Sequence, residues 1–206
     1  MSLESMHSVM FLLLTCLGGM RGYEAVWTDL DDIWLCEEAN DYTAIAWPII
    51  GRFKAHDGQA GCYMIPIAGT TDSGIEFFTW AQRFVNRLAD EGLYKGWAFQ
   101  SPNGDRAVAS DYRNNIFSKL EIIQSTTTLI DPRCNIWEDY GIQRSGRRFF
   151  TTHTTMKGVP PHLIELQARW STDRANGERT VQRTMIHLYS EVRNMKETLI
   201  LPSRSC

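Results

Sequence analysis

The stretch Arg144-Ser145-Gly146-Arg147-Arg148-Phe149-Phe150-Thr151 concentrates arginine. Arginine stays protonated at any biological pH and presents a planar fork of donors that matches two phosphate oxygens. Arginines gathered from distant parts of a chain therefore point to a phosphate site. Far upstream, Arg21 follows Gly18-Gly19-Met20 and precedes Gly22-Tyr23-Glu24; far downstream, Tyr189 is the only tyrosine after Tyr140. Two arginines and a lysine suffice to hold one phosphodiester. A tyrosine beside them can attack phosphorus, keep the bond energy as a phosphotyrosine ester and release a 5′ hydroxyl. Such chemistry calls for neither a metal nor a nucleotide cofactor.

Helices must position these groups. The arginine cluster opens a predicted helix that ends near Gly158-Val159-Pro160, and a second short helix delivers Ala168-Arg169-Trp170. Residues 8–27 read as two helices joined at Gly18-Gly19, the first nearly all apolar and the second starting at or near Arg21 with Glu24 one turn later. An ordinary i,i+3 ion pair, worth about 0.2–0.5 kcal/mol, would look the same. Residues 41–50 and 61–67, rich in Ile, Tyr and Trp, read as two strands around a turn carrying Asp57-Gly58 and Gly61, with Pro48 marking an edge strand. Lys54 lies in that connection, where a lysine also serves to keep a sheet edge soluble.

Further along, Ser73 and Glu76 fit an S-x-x-E capping box opening a helix with the apolar stripe Phe77, Ala81, Phe84, Leu88. Residues 97–101 suggest a short buried strand, followed by a Pro-Asn-Gly turn and a helix from about Ser110 to Ile123 with Ile116, Leu120 and Ile123 facing in. Residues 124–139 read as a polar, irregular linker. Residues 171–183 read as a loop around Asn176-Gly177, and Leu188, Val192, Met195 and Leu199 form an amphipathic stripe ended by Pro202.

Composition bounds the class. With 206 residues, 43% hydrophobic and 22% charged, the chain suits one folded domain rather than disorder. The apolar run Val9 to Leu17 is too short to span a bilayer and lacks the basic flank of a secretory signal, so no membrane partner is expected. The five cysteines are scattered and contain no CxxC, which argues against zinc or a disulfide framework and for a reducing intracellular setting. The net charge of −3 divides unevenly: residues 1–140 hold 10 basic and 19 acidic side chains, net −9, whereas residues 141–206 hold 11 and 5, net +6. A basic C-terminal third suits a nucleic-acid partner and equally a solvated surface.

Along nearly its whole length the chain resembles the catalytic domain of the tyrosine recombinase (phage integrase) family. The resemblance implies an α+β, mainly α-helical domain with a small antiparallel β-hairpin at one edge. It implies Tyr189 as the nucleophile on DNA, Arg21 and Arg147 as the catalytic arginines, with Arg148 the alternative to Arg147, and Lys54 as general acid to the leaving 5′ oxygen. Glu24 is then structural. The match departs at Arg144, which occupies a slot usually held by histidine; arginine donates to phosphate but cannot act as a base. Trp170 stands where the family has a second histidine or a tryptophan, keeping an N–H donor without a titrating group. Arg148, Arg169, Arg174, Arg179 and Arg183 are the candidate contacts to double-stranded DNA, although a solvated loop accounts equally for Arg174, Arg179 and Arg183.

The whole of 1–206 reads as one catalytic domain, without the N-terminal core-binding domain that usually precedes it in the family. In relatives the C-terminal segment can pack on a neighbouring protomer, which suggests self-association on DNA through the tail; the tail can equally fold back on its own domain. Two other readings stay open: a type IB topoisomerase-like enzyme with the same nucleophile and arginines, and a non-catalytic DNA-binding remnant of a mobile element.

Overall fold

The computed structural model describes residues 1–37, 43–52, 60–101 and 103–168. Its first element, helix α1 (Leu3–Leu17), begins at Ser2, whose Oγ accepts the Ser5 amide at 3.2 Å, and carries Glu4 in the first turn, where an anion complements the helix dipole. Met6, Met10, Phe11, Leu14 and Leu17 are buried, so one stripe of α1 lies within the core. Gly18 closes the helix by donating to the Leu14 carbonyl at 3.1 Å, and Gly19, at φ 59°, turns the chain in a conformation that favours glycine. The one-turn helix α2 (Gly22–Ala25) follows, with Arg21 at its N-cap.

Three antiparallel strands form the sheet: β1 (Trp34–Glu37), β2 (Thr43–Arg52) and β3 (Ala60–Ala68), with β2 in the middle. Pro48 therefore lies on the central strand, where an edge strand was expected. The register resolves the conflict, because β1 pairs only with Thr43 to Ala46 and has ended before Pro48; on that side no ladder hydrogen bond is lost. Trp47 is fully buried, and its indole N–H donates to Thr28 Oγ1 at 2.7 Å, tying β2 to the turn after α2.

Helix α3 (Phe77–Asp90) buries the expected stripe of Phe77, Ala81, Phe84 and Leu88. The capping box is not formed. Ser73 Oγ lies 2.9 Å from Thr71 Oγ1, which also accepts the Ile75 amide, so the polar side chains hold a turn and the helix starts after Glu76. Residues 97–101 make isolated bridges, Asp29 to Trp97 and Gln100 to Arg106, rather than a strand, although Ala98 and Phe99 are buried as expected.

A 3₁₀ turn (Ala109–Tyr112) leads into α4 (Arg113–Thr126). Its inward residues are Ile116 and Phe117, with Leu120 half-buried; Ile123 is 37% exposed because the last turn of α4 overhangs the core. The expected irregular linker holds a single turn, α5 (Ile136–Asp139), capped by Asn135 and anchored by buried Ile136. Helices α6 (Ser145–Met156) and α7 (Pro161–Gln167) complete a mainly helical architecture. Among the described residues, no helix is long and apolar enough to cross a membrane.

Candidate active site

Glu24 is the centre of the site. Its carboxylate is 1% exposed and takes the Arg21 backbone N–H at Oε2 (2.7 Å), Arg21 Nη1 at Oε1 (3.0 Å) and Arg147 Nη1 at Oε2 (3.4 Å). Arg147 lies 123 positions beyond Glu24 in sequence, so two arginines from distant parts of the chain meet on one carboxylate. A buried anion is costly unless charged donors surround it, and here two guanidiniums and an amide do so. The pairing leaves the trio one positive charge in excess. Arg147 is 8% exposed and Arg21 is 31% exposed, so Arg21 forms the solvent-facing part of the group. Arg21 Nη1 also donates to the Tyr23 hydroxyl at 3.4 Å.

Close backbone approach brings the two arginines together. The Gly22 N–H donates to the Gln143 carbonyl at 3.1 Å, and a Cβ on Gly22 would stand 2.8 Å from the Ile142 carbonyl oxygen. This joint docks the start of α2 against the chain leading into α6. Gly19 faces the Phe150 ring, which a Cβ would meet at 2.8 Å, and Gly146 lets α6 reach Thr15 of α1. The turn bearing Arg21 and the helix bearing Arg147 are therefore held at a separation that only glycine permits.

Within α6 the arginine cluster divides. Arg147 turns inward to Glu24, whereas Arg144, at the N-cap, and Arg148 are exposed, which distinguishes Arg147 from Arg148 by environment. At the far end of α6, Gly158 takes φ 76°, and the Gly158 and Val159 amides donate to Thr155 and Thr154 carbonyls. Helix α7 follows, and buried Gln167 donates from Nε2 to the Pro66 carbonyl of β3 at 2.9 Å. Lys54, Arg169, Trp170, Arg174, Arg179, Arg183 and Tyr189 lie outside the described residues.

No family model, curated protein or solved structure matches the chain. The chemistry must be read from the group itself. The solvent-reaching Arg21 can present donors to an oxyanion, and the buried Arg147 adds positive charge behind it, both oriented by one carboxylate. Tyr23 and the Gly22–Gln143 joint were not anticipated as parts of this group. The glycine at position 22 was the available signal, but a glycine does not name its neighbour.

Proposed function

We propose that the chain cleaves and rejoins double-stranded DNA through a 3′-phosphotyrosine intermediate, as a site-specific recombinase or integrase with a tyrosine recombinase-like catalytic domain. The supporting observation is the meeting of Arg21 and Arg147 on Glu24, the two arginines that the resemblance to the tyrosine recombinases implies for the scissile phosphate. In the proposed step, Tyr189 Oη forms a bond to phosphorus and gives up its proton to solvent water. The bond from phosphorus to the 5′ oxygen breaks, and that oxygen takes a proton from Lys54. Arg21 and Arg147 neutralise the charge that builds on the non-bridging oxygens, with Arg144 and Trp170 as further donors. Attack by another strand's 5′ hydroxyl reverses the chemistry and frees Tyr189, so no nucleotide energy is consumed. The reaction takes place wherever intracellular DNA is found, with self-association through residues 188–199.

Covalent trapping on nicked suicide duplexes tests this. Wild type is expected to give a denaturation-resistant protein–DNA adduct that Tyr189→Phe abolishes, and Arg147→Ala is expected to slow its formation by roughly 10²–10³-fold. DNA binding without any adduct from wild type would instead identify a non-catalytic binding protein.

A further inference from the structure

Arg106 stands apart from the Arg21–Glu24–Arg147 group, and no carboxylate among the described residues pairs with it. Its guanidinium carbon lies 4.2 Å from the centroid of the Trp27 ring and 5.3 Å from that of Trp97. The backbone sets up this clasp. The Ala98 amide donates to the Thr28 carbonyl at 2.9 Å, bringing Trp97 beside the segment after α2, and the chain then reverses so that Arg106 bridges to Gln100. The Ala107 amide closes the reversal on the Phe99 carbonyl at 2.8 Å.

Contacts with ring faces use the faces of a guanidinium, whereas its N–H donors point outward in its plane. The two indoles therefore restrict the rotamers of Arg106, removing ordering entropy before an anion arrives. Arg106 Nε is buried without a hydrogen-bond partner among the described residues, while the residue as a whole is half-exposed. A surface arginine that served only as a staple would be expected to end on a carboxylate or carbonyl. A row of half-exposed contacts leads from here to the Arg21–Glu24–Arg147 group: Arg106 on Trp27, Trp27 and Tyr23 with ring centroids 6.4 Å apart, and the Tyr23 hydroxyl accepting from Arg21.

We propose that Arg106, clasped by Trp27 and Trp97, is a second anion subsite that takes a DNA backbone phosphate flanking the one held at Arg21 and Arg147. This assignment rests on the DNA-cleaving reading above. A contact of this kind fixes the register of the duplex and carries no base information.

The test uses the full chain and short fluorescent duplexes of unrelated sequence. Arg106→Leu keeps much of the alkyl packing and is expected to reduce the slope of log Kd against log salt by about 0.9, equally for all duplexes. An unchanged slope in the folded variant overturns the subsite. In wild type, phenylglyoxal footprinting with peptide mass analysis needs no variant: duplex is expected to protect Arg106, and inorganic phosphate at the same phosphate concentration is not. Arg106 staying reactive while duplex protects Arg21 overturns the subsite alone. Equal protection by inorganic phosphate overturns the DNA assignment in favour of a free-phosphate site. A wild-type chain that binds no duplex and protects neither arginine overturns the subsite and the DNA-cleaving reading together.

Discussion

His7 sits where a charged imidazole is poorly tolerated. The rings of Phe84, Phe99 and Tyr112 surround it at centroid distances of 5.5, 5.6 and 5.8 Å. Its Nε2 is 3.1 Å from the Ala98 carbonyl, which can only accept, so Nε2 carries the proton. Burial pushes the His7 pKa below 6.5, and the Ala98 hydrogen bond opposes this only in part. Between that depressed value and about 6.5 the unfolded chain binds more protons than the folded one. Stability from this residue is therefore full above pH 6.5, falls as pH drops below it, and levels off under the folded pKa. Urea midpoints at pH 7.5 and 5.5 check this: wild type is expected to lose more stability over that interval than His7→Gln, which keeps a donor. Equal losses would mean that His7 does not titrate as a buried neutral base.

At the scale of elements, the fit of α1 against α6 makes a prediction with an unusual sign. Replacing a helical glycine by alanine normally stabilises by up to about 1 kcal/mol. A Cβ on Gly146 would lie 2.3 Å from Thr15 Oγ1 and 2.5 Å from Thr15 Cβ, so Gly146→Ala is expected to cost about 1–3 kcal/mol in chemical denaturation. Adding Thr15→Gly removes these two atoms, though not the Thr15 carbonyl carbon at 3.0 Å, and should recover part of the loss. A neutral or stabilising Gly146→Ala would show that the helices do not approach this closely.

The same contact marks what the sequence could and could not reveal. The stripe of α3, the helical pairs on either side of Gly18-Gly19 and Gly158, and Arg21 at a helix start were legible because periodicity and capping are local. Gly146 on Thr15 and Gly22 on Gln143 are tertiary contacts and leave no local pattern. Local rules also misled where the fold overrode them. Ser73 was drawn into a turn with Thr71, Pro48 sits where the central strand has lost its outer neighbour, and Ile123 follows the helical period past the edge of the core. Within the candidate site, the family resemblance pointed to Arg21 and Arg147, but the geometry that joins them through Glu24 could not be read from sequence. Arg106 leaves no signal in the sequence because its partners, Trp27 and Trp97, approach only once the chain has folded.

For the whole molecule, α1 is the common support. It packs against α2, α3, α4, α6 and the 3₁₀ turn, with Phe11, 1% exposed, midway along it. Arg21 follows closely on its C-terminal end, and Arg147 belongs to the helix that lies against it, so both depend on one core although they come from the acidic and basic parts of the chain. If that core is a single cooperative unit, damage at Phe11 must be felt everywhere. Phe11→Ala is expected to lower stability by about 3–5 kcal/mol, with tryptophan fluorescence and far-ultraviolet circular dichroism shifting to the same lower urea midpoint and the slope unchanged. Two separated transitions would show that α1 does not bind the parts together. The meeting of Arg21 and Arg147 would then be a local arrangement that can be lost while much of the fold persists, rather than a property of the native state as a whole.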